Sequence, residues 1–238
     1  MAEDDERSSS TEPVTRLVPG QRAPGEDMSR ILALTDGVFA FSLTLLVLSL
    51  VVPAFTTFSG EPAAQISGRL GFLLRQELGS FFGYVFVFVM IAVWWSAHHR
   101  IFRWIVRYDD VLVGLNLALL MEIAVMPFVL KVYITYASTP VAVILFALIQ
   151  LASGLTLSFI WLYASRGYRL IRRTIPVYDV RWMQYRTYLT PAVFAISIGV
   201  VFINVDAAQI VWIAALFAQR FTWFAAAVHG RPLAGRDR

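Results

Sequence analysis

The chain alternates long apolar runs with short polar breaks. Six runs approach the roughly 20 residues that a helix needs to cross a bilayer, at about 31–52, 79–99, 110–132, 140–164, 187–205 and 207–228. The fifth is the least regular. Pro191 lies inside it, and only Asn204-Val205-Asp206 separates it from the sixth, so the two are expected to form a tight helical hairpin. The pattern predicts an all-α integral membrane protein with six transmembrane helices per subunit. Between the first two runs, residues 53–78 contain ISGRLGFLLRQEL, which is amphipathic at helical spacing. An ordinary connecting helix is the plainest reading, with a helix lying on the membrane surface or extending the second span as alternatives. Residues 1–27 are polar, rich in Ser, Pro, Glu and Arg, and lack the apolar stretch of a cleavable signal. They are expected to form a disordered cytoplasmic arm, with residues 28–229 as the membrane domain and 230–238 as a cytoplasmic tail.

Charge adds orientation. Of the 20 basic residues, 17 fall at the N-terminus, between runs two and three, between runs four and five, or at the C-terminus. Only Arg69, Arg75 and Lys131 fall on the opposite side. Short cytoplasmic loops carry the excess of Lys and Arg, so both termini are expected to be cytoplasmic. The net charge of +4 is accounted for by these loops, and no nucleic-acid partner is expected. The chain is 58% hydrophobic and only 15% charged, against about 25% charged in soluble domains. The partner is a lipid bilayer, and the 19 arginines against one lysine fit a bacterial plasma membrane protein from a GC-rich genome.

The first run, RILALTDGVFAFSLTLLVLSLVVP (30–53), carries an acid inside hydrocarbon. Drawn as an α-helix, it shows one narrow stripe at alternating steps of four and three: Arg30, Leu34, Gly37, Phe41, Thr44, Leu48, Val51. Asp36 lies roughly 110° around the helix from that stripe, so the two have different neighbours. Because a buried charge in a membrane requires a partner, Asp36 is expected to tie helices one, two and three together. His98, His99 and Asn116 lie at a similar depth, and Thr35 adds a hydroxyl. The two histidines also read as an interfacial pair beside Trp94 and Trp95. A metal site built from them is not expected, because adjacent histidines point 100° apart on a helix. The stripe itself fits either helix packing or the wall of a pore. Glu122 is a second intramembrane acid and a functional candidate without a named partner.

Catalytic signatures are missing. The sequence has no cysteine and no GxxxxGK[ST], HExxH or GxSxG context, and no nucleophile–base pair is evident. The TVGYG potassium filter is absent as well. Neither enzyme activity nor a cofactor is expected.

The first run resembles the first helix of the transmembrane protein 175 family, potassium-permeable channels of bacteria and lysosomes. That family's signature is R-x-x-x-F-S-D followed by G-V-[FI]-A-I and T-L-L-V-L. Here Arg30 and Asp36 match, while Leu34 and Thr35 replace Phe and Ser. WWSAHHRIF (94–102) and NLALLMEIAVMPF (116–128) are similar to the second and third helices, whereas the later runs match in hydropathy and position only. The resemblance implies a homotetramer of six-helix subunits conducting potassium ions, with a pore lined by the first helix and no re-entrant filter loop. It places the constriction at Phe41, where the family usually has Ile or Leu, and a selectivity role at Thr44. Both lie on the stripe drawn above, with Leu48 next along it. Two other readings stay open from the residues alone. One is a proton- or solute-coupled transporter with Asp36, His98, His99 and Glu122 as a relay; the other is a non-conducting structural membrane protein.

Overall fold

The computed structural model describes residues 26–57 and 60–212. Six α-helices run through them: α1 (Glu26–Leu45), α2 (Ala63–Gln76), α3 (Leu78–Phe102), α4 (Asp110–Thr135), α5 (Pro140–Ser165) and α6 (Val177–Val201). Another helical segment starts at residue 205 and is described as far as Trp212. Four stretches are long and apolar enough to cross a membrane: Met28–Ser49, Leu78–Phe102, Asp110–Thr135 and Pro140–Tyr168. They coincide with the first four runs. The fifth run is the second half of α6, whose first half carries Asp179, Arg181 and Arg186. The sixth run leaves the described residues after Trp212, as do residues 1–25 of the expected arm and the whole 230–238 tail. Glu26 and Asp27, expected to belong to the arm, are already in α1.

Hydrocarbon gives helices no hydrophobic reason to associate, so close packing and buried hydrogen bonds must hold them. α4 occupies the centre: α1 rests on it from one side and α5 from the other, and α6 covers α5. Where α5 meets α6, Gly154 faces the ring of Pro191. A methyl group at Gly154 would lie 2.8 Å from Pro191 Cδ, closer than real Cβ contacts allow. Pro191 also lacks an N–H, which leaves the Thr187 carbonyl one turn earlier without its helical donor. The Ser158 hydroxyl of α5 lies 2.9 Å from Thr187 O and 2.7 Å from Gly154 O, so its one proton is shared between the two carbonyls. Glycine, serine and proline thus form one fitted contact across two helices. Gly154→Ala is expected to destabilise the subunit by about 1–3 kcal/mol, the usual range for overpacking. Thermal unfolding in detergent reads this, with Gly199→Ala as the control because a Cβ there meets nothing within 4 Å.

Next to this contact lies an aromatic cluster. Phe146 packs against Tyr133, Trp212 and Phe194 at centroid distances of 5.1, 4.9 and 6.4 Å. It joins α4, α5, α6 and the segment ending at Trp212.

Two segments depart from the sequence pattern. The α-helical register of the first span ends at Leu45, where a tighter 3-10 turn takes over from Leu46 to Ser49, and the chain is extended at Leu50. The helix was expected to continue to 52. Val51, Val52 and Pro53 follow, and proline disfavours helical backbone in the residue before it. Ser49 Oγ turns back to Leu46 O (2.6 Å), and Lys131 of α4 donates to Ser49 O (3.2 Å), so the unpaired end of the helix is capped from outside. The amphipathic stretch in 53–78 forms α2, which leads into α3 with only Glu77 between them. Arg69 anchors its start by an ion pair with Glu61.

Candidate functional site: the two faces of the first helix

α1 has two stripes of opposite character. Thr35, Phe39, Ser42, Leu46 and Ser49 recur at steps of four and three, and all are buried against α3 and α4. The stripe Arg30, Leu34, Gly37, Phe41, Thr44, Leu48 and Val51 is exposed at every position. Phe41 is 63% exposed and Leu48 71%. Gly37 has open space where a Cβ would sit, so nothing among the described residues requires a glycine there. The Thr44 hydroxyl donates to Phe41 O (2.8 Å), which uses its proton and leaves oxygen lone pairs on the exposed side. A 3-10 helix turns about 120° per residue instead of 100°. Leu48 is therefore rotated off the straight stripe drawn from α-helical spacing, and Val51 lies beyond the helix.

Behind the exposed stripe runs a polar chain through three helices. The Thr35 hydroxyl donates to Ile31 O (2.9 Å). Asn116 Nδ2 of α4 donates to Thr35 Oγ1 (2.9 Å). Asn116 Oδ1 pairs with His98 Nε2 of α3 at 2.9 Å; a carboxamide oxygen only accepts, so His98 carries the proton on Nε2. Thr35, His98 and Asn116 are all buried. The His98 ring lies stacked on Phe102, with centroids 4.0 Å apart.

Asp36 stands outside this chain. It was expected to bond to a histidine or to Asn116, yet Asp36 Oδ1 accepts from the Trp95 indole (2.8 Å). Trp95 in turn stacks with His99, 5.5 Å between centroids. The tie of α1 to both α3 and α4 falls to Thr35, because one residue along a helix turns the side chain by 100°. Arg30, the other half of the sequence signature, is exposed. His98 and His99 point to different neighbours, and among the described residues no three metal-binding side chains converge.

Glu122 is on the far side of α4 from α1. Thr156 of α5 donates to its Oε1 (2.8 Å), while Oε2 is buried without a hydrogen-bond partner among the described residues.

Three ties were not anticipated from the sequence. Trp94 Nε1 donates to Gln150 Oε1 (2.9 Å) between α3 and α5. At the arginine-rich end, Asp109 caps α4 by accepting from Leu112 N (3.0 Å). It also accepts from the Tyr163 hydroxyl (2.7 Å) and pairs with Arg169 (3.2 Å). Burial acts against its charge, but the Tyr163 bond, the Leu112 amide and Arg169 together hold the carboxyl below its usual range. The Asp before a helical run in RYDDVL was a readable N-cap signal; its long-range partners were not. An antiparallel bridge, Ile105 with Ile171, joins the same two loops.

Comparison with known proteins places this geometry. A family model described as the endosomal/lysosomal potassium channel TMEM175 matches residues 30–127, which hold α1, α2, α3 and most of α4. A potassium channel of Streptomyces collinus is 28% identical over 182 residues, covering 75% of this chain and 84% of that one. A potassium channel of Chamaesiphon minutus is 29% identical over 182 residues, covering 75% and 86%. The crystal structure of a lysosomal potassium-selective channel TMEM175 homolog from Chamaesiphon minutus superposes with a TM-score of 0.67 at 26% identity. It covers 80% of this chain and 95% of that one. The chain carrying this exposed stripe and the polar ties behind it is thus similar, over α1 to α4, to the TMEM175 family, a family of ion channels and not of enzymes.

Proposed function

We propose that the chain is the subunit of a potassium channel, a homotetramer in which four copies of α1 surround the ion path. The observation that carries this reading is the contrast between the two stripes of α1. One is filled by α3 and α4; the other presents Leu34, Gly37, Phe41, Thr44 and Leu48 to nothing among the described residues. One subunit cannot enclose a path with a single helix, whereas closed cyclic symmetry brings identical faces together around an axis. In that arrangement Phe41 forms the constriction and Thr44 sets a ring of hydroxyl oxygens one turn away. Leu48 continues the wall toward the outer mouth. Leu34, Gly37 and Val51 complete the lining, and Thr35, His98 and Asn116 hold the helix from behind. The chain sits in the bacterial plasma membrane with six spans per subunit, residues 28–229 as the membrane domain and both termini cytoplasmic, as the distribution of arginines supports.

A coupled transporter using Asp36, His98, His99 and Glu122 as a relay finds less support. Asp36 is bonded to Trp95, His98 to Asn116 and Glu122 to Thr156. Asp36 and His99 both touch Trp95, but among the described residues no chain of hydrogen bonds runs from them to His98 and on to Glu122.

The test joins assembly and flux. Detergent-corrected mass is expected to give four copies, and liposomes holding the purified chain are expected to release potassium down its gradient faster than sodium. A stable monomer or dimer overturns the central path, and a tetramer without potassium flux overturns the channel.

A further inference from the structure

A cavity opens between α3, α5 and α6 at the arginine-rich end of the bundle. Val93, Trp94, Ala97 and Arg100 of α3 and Arg186, Leu189 and Thr190 of α6 are among its walls. The two arginines come from different helices, both are partly buried, and their charges act on each other. Arg100 is held by its own helix, donating to Ser96 Oγ (2.8 Å). Neither guanidinium pairs with a carboxylate among the described residues. Two cations without a carboxylate partner among the described residues, facing one cavity in a membrane protein, are costly unless an anion joins them.

We propose that this cavity binds an anionic phospholipid, its phosphate held between Arg100 and Arg186 and its glycerol and acyl chain lying along the deeper apolar wall. Charge selects the anion, since guanidinium groups take phosphate oxygens in bidentate fashion. Depth selects the lipid, which would lie along the open side of the cavity, since the enclosed space is only about 60 Å³. At 1.5 Å per residue, Val93 and Trp94 lie about 9–10 Å deeper along α3 than Arg100, and Leu189 and Thr190 lie one turn deeper along α6 than Arg186. The charged end is thus at headgroup depth, next to the loops joined through Ile105 and Ile171, and the apolar end points into the acyl region. Basic pockets between membrane helices at the cytoplasmic side are known binding places for anionic headgroups. A bound lipid would bridge α3 and α6, which bring together the two ends of the described bundle.

The test uses the full chain in neutral detergent with phosphatidylglycerol or phosphatidylcholine added, reading bound lipid by native mass spectrometry and the shift in melting temperature. The wild type is expected to retain phosphatidylglycerol over phosphatidylcholine. Arg100→Gln and Arg186→Gln should each reduce that preference about fivefold, the weight of one basic residue near an anionic surface. Arg100→Lys and Arg186→Lys should keep most of it, and Arg181→Gln, exposed on the same helix outside the cavity, should leave it unchanged. If the wild type shows no preference, or if the double Gln variant retains phosphatidylglycerol like the wild type, the site is overturned. Inorganic phosphate that raises the melting temperature as much as the lipid would overturn the lipid in favour of the free anion. The wild-type comparison decides even where a Gln variant does not fold.

Discussion

Phe41→Ala is expected to raise potassium flux through the reconstituted channel by about tenfold or more, equivalent to about 1.4 kcal/mol off the barrier. Four exposed phenylalanines brought to one axis form an apolar ring, and such a ring holds back ions by excluding water. A hydrated cation loses its shell there and gains little from aromatic edges in return. Alanine widens the ring and lets water through, so discrimination against sodium should fall as flux rises. Thr44→Val tests the adjacent ring separately. Its volume is nearly the same, but the oxygen lone pairs left exposed by the bond to Phe41 O are gone. The potassium preference should then fall more than the total flux. Phe128→Ala is the control: Phe128 is as exposed as Phe41, at 65%, but lies on α4. Equal flux from Phe41→Ala and Phe128→Ala would show that α1 does not line the path.

Asn116→Leu is expected to have the largest effect on the assembled protein. It removes at once the acceptor of His98 Nε2 and the donor to Thr35, leaving a buried histidine N–H with no partner. An orphaned buried donor costs about 1–3 kcal/mol, above the average of about 0.6 kcal/mol for one membrane hydrogen bond. Folded protein recovered in detergent and its melting temperature should both fall. Asp36→Ala should do less, since the bond it makes among the described residues is to an exposed tryptophan, and Asp36→Asn should be close to the wild type because its amide oxygen still accepts from Trp95. If Asp36→Ala proves worse than Asn116→Leu, the helix is held from its aspartate and not from the chain through Thr35.

These expectations rest on different amounts of sequence information. The positions of the first four membrane helices follow from hydropathy, because hydrocarbon demands a continuous run of apolar side chains and internally paired backbone. The stripe of α1 was legible from spacing as a distinct face as far as Thr44, whereas its exposure was not. What lies past Leu45 was not legible either, since the end of the 3-10 turn is met by Lys131, a residue 82 positions away from Ser49 in the chain.

The polar ties divide in the same way. Sequence placed Thr35, Asp36, His98, His99 and Asn116 at one depth, because rise per residue is a local property. Which of them meet depends on helix rotation, which is set by packing with other helices. Thus Thr35 and not Asp36 faces α4, and Trp95 emerges as the partner of the aspartate. The seat of Pro191 on Gly154, with the Ser158 proton shared between the Gly154 and Thr187 carbonyls, is likewise a contact between helices that no local pattern announces. The sequence by itself determined which segments enter the membrane, at what depth each polar group lies and which face of α1 is distinct. The tertiary structure decided which face is left open and which polar groups pair, because a hydrogen bond in hydrocarbon is chosen by orientation over a few ångströms, and one residue of helix rotation changes the partner.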